Sequence, residues 1–356
     1  MSKRIYIGVD NIARKVKKAY IGVGGIARPF YSAEPEVTYY GKAPDLSIVR
    51  SGIAATSVGN YALFGGGEAS NGRQSTVDSY TSSLVKGVAP NLSDGKRNLA
   101  ATSVGSYALF GGGYSASDGY SATVDTYTSS LIKGTATNLS VARDTLTATH
   151  VGNYALFAGG NTSGNVRQKV VDTYTSSLVK GTAANLSTAT MNLASTTIGD
   201  YALIALESNS SPLVDTYTSS LVKGTTTNLS VGRSNIASTS VGNYALFGGG
   251  YIGSNNFVDV VDTYTSSLVK GTATNLSAKR YSLAATNVDN FALFAGGMSS
   301  SSVTCATVDT YTSTLVKGTA NDLSIARAGI SATSVGGYAL FAGGSSQSVV
   351  DVYQVA

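Results

Sequence analysis

The chain has no tryptophan, one cysteine, one histidine and five prolines in 356 residues, and charged residues make up only 13% of it. Cys305 alone cannot form an internal disulfide. With His150 as its only companion, the Cys/His sets that build most zinc sites are missing, and no cofactor is expected. No apolar run approaches the ~18 residues of a spanning helix, so no membrane span is expected. Met1-Ser2-Lys3-Arg4 is not followed by the apolar core of a secretory signal, so none is expected. Long helices are disfavoured as well. The 41 glycines, with abundant Ser, Thr and Tyr, suit short strands joined by tight turns.

Charge is sparse and uneven. Residues 1–36 hold seven positive and three negative side chains, net +4, which leaves about +1 of the total of +5 for the other 320 residues. So neutral a body argues against a nucleic-acid-binding surface, and nucleic acid is not an expected partner.

What the chain does contain is repetition. Tyr-Ala-Leu-Phe starts at Tyr61, Tyr107, Tyr154, Tyr244 and Tyr338, with Phe-Ala-Leu-Phe at Phe291 and Tyr-Ala-Leu-Ile at Tyr201; the successive spacings are 46, 47, 47, 43, 47 and 47 residues. A period this long, filled with strand-like segments, predicts four strands per unit. In the second unit they read as strand a over 99–104, strand b over 107–110 ending in three glycines, strand c over 124–127 and strand d over 131–134. The short Gly-containing connections fit hairpin turns. Strands a and b are apolar or small on both faces, as expected where each sheet is covered on both sides. Strand d repeats a lysine (Lys86, Lys133, Lys180, Lys223, Lys270, Lys317), expected on an exposed edge that must not pair further.

Seven a, b and c strands can be counted, but only six d strands follow a c strand. The seventh stands at the front, over residues 37–47. The expected fold is therefore all-β: a seven-bladed β-propeller over 37–356, its last blade closed by 37–47 pairing with 349–354, which leaves no open edge. A basic arm, 1–33, and a linker, 34–36, precede it.

Strand b ending in Gly-Gly, a tyrosine on strand c and an arginine before strand a resemble the Kelch motif across 37–356. The tryptophan usual on the Kelch outer strand is absent, with Leu84, Leu131 and Leu178 near its place. The Tyr-Ala-Leu-Phe-Gly-Gly repeats behind Tyr-Ile-Gly-Val arms resemble Kelch-like proteins of Firmicutes and their bacteriophages. The resemblance implies the propeller fold; propellers host many unrelated activities.

In the arm, residues 5–14 recur at 19–28, a period of 14, with Asp10-Asn11 and Gly24-Gly25 as turn pairs. Two hairpins this small rarely stand alone. They are expected to dock on another component through Tyr6, Arg14, Lys15, Lys17, Lys18, Tyr20 and Arg28, with Pro29 and Pro35 flanking the connector; a flexible basic tail is the competing reading.

Antiparallel topology puts the b–c and d–a loops on one face and the a–b and c–d turns on the other. The turns are monotonous, whereas the b–c loops (68–76, 114–123, 161–170, 207–212, 251–260, 298–307 and 345–348) differ in length and content. Diverse loops on a rigid scaffold are how a binding face is built. Its expected contacts are Arg73, Tyr114, Tyr120, Arg167, Tyr251 and Phe257. The d–a arginines Arg50, Arg97, Arg143, Arg233, Arg280 and Arg327 belong to the same face, with Thr190 breaking the ring. They either grip an anion or pair with the strand c aspartates Asp78, Asp125, Asp172, Asp215, Asp262, Asp309 and Asp351.

Catalytic signals are weak. One Cys and one His cannot make a copper-radical oxidase site, the boxes of a sialidase are absent, and Glu68 and Glu207 do not make a glycosidase pair. His150 stands where other units carry Ser and reads as a solvated turn residue. The Asn-Leu-Ser sequons recur at one turn per unit and read as turn chemistry. The fourth unit is short and irregular. The expectation is a non-enzymatic structural or binding protein of a phage or prophage virion. Its arm would contact other virion proteins and its face a bacterial surface glycan or protein; self-association is left open. A bacterial adhesin or scaffold, in the cytoplasm or at the cell surface, is the alternative.

Overall fold

The structure, a computed structural model, describes residues 6–9, 12–15, 18–23, 26–32, 35–115, 117–206 and 212–356, with side chains throughout from residue 35 onward. Seven four-stranded antiparallel sheets stand around an axis, as a β-propeller. In the second blade strand a is Ala100–Val104, b Tyr107–Gly111, c Val124–Thr128 and d Lys133–Ala136. The a strands of successive blades contact one another, which puts them at the axis and the d strands at the rim.

Closure follows the expected route. Ser331–Val335, Tyr338–Ala342 and Val350–Val355 are completed by Val37–Ala43, paired antiparallel from Val355↔Val37 to Val350↔Ala43 with a register shift after Val352. Beyond Val37, Glu36 and Ala356 exchange two backbone hydrogen bonds (3.3 and 3.0 Å). The chain therefore enters the ring at the rim of the face that carries the a–b and c–d turns.

Strand b is sealed on both sides: Ala62, Leu63 and Phe64 are fully buried, as are their counterparts in the other blades. Each blade-to-blade junction has its own apolar cluster. Leu63 and Val77 of the first blade meet Phe110 and Tyr127 of the second, for example. A fully buried side chain of this size contributes about 2 kcal/mol, so the junctions hold the ring. The strand c tyrosines add a tie: Tyr127 packs edge-on against Phe110 (5.8 Å, 89°) and donates its hydroxyl proton to the Pro90 carbonyl of the preceding blade at 2.7 Å.

Two expectations about the outer strand are corrected. It starts two residues later than predicted, and Leu84, Leu131 and Leu178 lie in the c–d turn at φ of 59° to 62°, not on the strand. Thr128 Oγ1 accepts bonds from the Ser130 and Ile132 amides, which bends the chain so that Leu131 turns back onto the core. The turn's fixed geometry sets the register; composition alone hides it.

The turns also interlock neighbouring blades. Gly105 sits at φ 56°, and a Cβ there would lie 2.9 Å from Ser176 Cβ in the next blade's c–d turn. Glycine is required both for the left-handed backbone and for the close approach. The same relation joins Gly59 to Ser129 and Gly336 to Ser82. The sixth blade has Asp289 at this position, φ 47°. Its neighbour is the closing blade, whose c and d strands come from opposite ends of the chain and have no turn between them.

The arm forms two hairpins, Tyr6–Val9 with Ile12–Lys15 and Lys18–Val23 with Ile26–Ser32. The turn pairs Asp10-Asn11 and Gly24-Gly25, and Lys17, lie outside the described residues, as do the side chains of Tyr6, Arg14, Lys15, Lys18, Tyr20 and Arg28. Pro29, expected to flank the connector, is within the strand Ile26–Ser32, opposite Tyr20 beside a register shift. An irregular pairing is where a residue without an N–H is tolerated.

Candidate functional site

Each strand c aspartate is buried at a junction, and its partners account for the repeat's most regular letters. The serine of every Asn-Leu-Ser, or of its variants, donates its amide to the next blade's aspartate at 2.7–3.3 Å, from Ser47 on Asp78 to Ser324 on Asp351. Arg50, Arg143, Arg233, Arg280 and Arg327 then pair with Asp78, Asp172, Asp262, Asp309 and Asp351 at 2.6–2.8 Å, both partners with no exposed side-chain surface. The same guanidinium groups donate to strand b carbonyls such as Phe157 and Phe294 at 3.1 Å. These five arginines are therefore not an anion-binding ring. A ligand could not reach them, and their charge is already balanced.

The electrostatics agree with pairing. Burial alone would push the Asp172 and Asp262 carboxyls up; hydrogen bonds from Ser140 and Ser230 and the charges of Arg143 and Arg233 overcome it and hold both below the usual range. Burial pulls the Arg143 and Arg280 guanidinium groups down, against the opposing charges of Asp172 and Asp309.

Arg97 is corrected separately. Aligned on the leucine of its turn, the second blade puts Lys96 in the arginine's place, and Lys96 pairs with Asp125 at 3.3 Å with neither side chain exposed. Arg97 is one residue later, 39% exposed, and forms an ion pair with Glu68. The repeated strand d lysines are also more than edge guards. Lys86, Lys133, Lys180, Lys223, Lys270 and Lys317 fold back to within 3.1–3.5 Å of the same aspartates and are only 18–23% exposed. Thr190, in the arginine's place in the fourth blade, is buried; Asp215 keeps Ser187 and Lys223.

The b–c and d–a segments share one face, joined by small pairings such as Lys96–Arg97 with Tyr114–Ser115 and Ser51 with Glu68. Two side-chain clusters stand there. Over the first two blades the Arg73 guanidinium lies 4.3 Å from the Tyr114 ring centre and donates to the Ser115 carbonyl at 2.6 Å, with Arg97 5.9 Å from the same ring. Tyr120 meets Tyr114 edge-on at 5.0 Å. Over the fifth and sixth blades Tyr251 and Phe257 pack at 5.8 Å, and Phe257 stacks on Tyr281 at 4.8 Å and 7°. The expected contacts are thus gathered into two groups, except Arg167, which is exposed at the end of the Asn161–Thr162 and Val166–Arg167 hairpin. Tyr281 is not among the expected contacts, although its position directly after Arg280 in the d–a segment is the available signal. All five aromatic rings are half-buried, with their remaining surface open to solvent.

On the axis, strand a lines a channel of about 360 Å³. Its second inward position is Ser57, Ser103, Ser240 or Ser334 in four blades, Thr197 and Asn287 in two, and His150 in the third. His150 is thus a channel-wall residue on Thr147–Val151, not a turn residue. It is open to the channel yet ringed by seven blades, and this desolvation lowers its pKa. Among the described residues no three His, Cys, Asp or Glu side chains stand close enough to hold a metal ion, and no helix is long and apolar enough to cross a membrane.

No family model and no curated protein matches the sequence. Among solved structures the chain is similar to YjhT, with 11% identity and a TM-score of 0.61 over 78% of this chain and 99% of that one. At that identity the likeness concerns the fold, and it agrees with the propeller.

Proposed function

We propose that the protein is a non-enzymatic binding component of a phage or prophage particle, held by its arm and presenting the b–c loop face to a bacterial surface glycan or protein. The observation that carries this reading is polarity. Residues 35–37 join the ring at the c–d turn face, while the diverse loops and both aromatic clusters occupy the opposite one. A body tethered on one face has the other free to meet a target. The reading of a binder rather than an enzyme is supported by the strand c carboxylates, which are sealed in ion pairs and so cannot serve as acid or base to a substrate.

The test compares full-length protein with protein lacking residues 1–33 for co-sedimentation with particles from cells that carry the gene. The truncated protein should stay folded and soluble with an unchanged melting temperature, and should be missing from particles. Full-length protein that never accompanies particles would sink the virion assignment and leave the adhesin or scaffold in its place.

A further inference from the structure

We infer that the mouth of the axial channel on the b–c loop face is itself a binding site, and that it takes one neutral pyranose ring, the end residue of a glycan. This rests on the proposed function and deepens it by naming the ligand class and a place that neither aromatic cluster includes.

The mouth is a cavity of about 340 Å³, built from the d–a segments of all seven blades. At its rim every blade places one residue in the left-handed backbone region. Two of the seven are Gly52 and Gly329, at φ 65° and 62°. The other five are Asn98, Thr145, Asn192, Asn235 and Ser282, at φ 50° to 53°. Glycine is the residue this backbone favours, and a β-branched residue such as Thr145 is disfavoured there. The backbone requirement is met from blade to blade by amide-to-carbonyl bonds of 3.0 Å, from Asn98 to Gly52, Thr145 to Asn98 and Asn192 to Thr145 on one side, and from Ser282 to Asn235 and Gly329 to Ser282 on the other. Those bonds need no side chain. Five blades nevertheless carry an amide or hydroxyl where glycine would fit without strain. Asn reaches this backbone at little cost, so the strain lies at Thr145 and Ser282, and such strain persists at places with another use.

The chemistry of the lining selects the ligand. Behind the rim stand seven aliphatic residues, one per blade, from Ile53 and Leu99 round to Ile330. No side chain of the lining carries a charge. A ring of amide and hydroxyl groups over an aliphatic wall matches a molecule with hydroxyls at its edge and C–H groups on its faces, which describes a pyranose. An anionic sugar would lose its hydration with no cation to meet it. The aromatic clusters, over the first two blades and over the fifth and sixth, flank this axis from two sides and would hold the following residues of the chain.

The native glycines supply the test. A variant with Asn192→Gly, Asn235→Gly and Ser282→Gly keeps a backbone that two blades already use, and Gly329→Asn adds a side chain where nothing lies within 4 Å of the position. Binding is read on an array of bacterial glycans with neutral and acidic ends, with competition by free glucose, galactose and N-acetylglucosamine. Expected are recognition of neutral ends, competition by at least one of the three sugars, and a loss of tenfold or more in both variants at unchanged melting temperature. Undiminished binding in both variants, with loss in Tyr114→Ala or Tyr251→Ala, would overturn this inference and leave the proposed binding face intact. A preference for acidic ends would overturn it as well. No glycan binding by the wild-type chain would overturn it and the glycan half of the proposed function, whereas particle co-sedimentation tests the virion half independently.

Discussion

The Tyr39 hydroxyl donates a hydrogen bond of 2.8 Å to Asp351 Oδ1 across 312 residues of sequence. Tyr39 stands opposite Tyr353, the register that Lys133 holds opposite Tyr127 in the second blade. In the closing blade a phenol thus replaces the lysine, and burial followed by the Asp351 contact pushes its pKa up to about 12. Tyr39→Phe leaves Asp351 its Arg327 and Ser324 partners and should cost about 2 kcal/mol, the range for a hydrogen bond to a charged group. Guanidinium unfolding read by fluorescence checks it; an unchanged midpoint would mean the phenol is incidental.

The buried pairs rank substitutions at the ring arginines. Arg143→Ala takes the buried cation from Asp172, leaving it Ser140 and the half-buried Lys180, and should cost about 3 kcal/mol. Arg143→Lys should cost less, because Lys96 already fills this place in the second blade and reaches both Asp125 and the Thr123 hydroxyl (2.8 Å). Equal losses in chemical denaturation would contradict the equivalence of the two positions.

Acid should act through the same carboxylates. Asp125, Asp172 and Asp262 are held below their ordinary range, so the unfolded chain binds protons first as pH falls. Their contribution is fully present above about pH 4, the unfolded value, and is lost below it. Melting temperature should therefore drop steeply only under about pH 4, and Asp172→Asn, already destabilised, should show a shallower drop.

His150 adds a smaller effect in another window. Its pKa is lowered by burial in the channel wall, so below about pH 6.5 the unfolded chain takes up the proton before the folded one does. Stability then falls as the solution is acidified from pH 7 towards 5. His150→Ser copies the residue found in four other blades and should remove that slope, which melting curves at pH 5, 6 and 7 would reveal.

The turn interlock predicts an asymmetry between two blades. Gly105→Asp forces a side chain against Ser176 and a non-glycine residue into the left-handed region, and should cost about 2 kcal/mol or more. Asp289→Gly, where the neighbouring blade has no such turn, should be neutral or stabilising. Thermal unfolding of the two variants separates them.

Blade number, strand order and the pairing of Val37 with the final strand were legible because period and missing strand are covalent facts. The division of loops between faces followed from antiparallel alternation. What could not be read was local register. Lys96 and Arg97 are both basic and adjacent, and only the spacing back to Leu92 separates them. The register shift at Val352 puts Tyr39, two residues before Gly41, in the place that Lys133 takes one residue before Gly134. His150 reads as a turn residue because strand a ends one residue after it. The axial mouth was invisible for a different reason. Its rim is assembled from seven residues, one per blade, and its geometry is a left-handed backbone that Asn, Thr, Ser and Gly reach without any shared letter.

The pairing of Val37–Ala43 with Val350–Val355 also constrains how the molecule is made. The first propeller strand to leave the ribosome must wait for nearly the whole remaining chain before its partner exists, while the intervening blades stack in order behind it. Ring completion then waits on residues 350–355, and a nascent chain stalled before residue 350 leaves Val37–Ala43 without its partner strand.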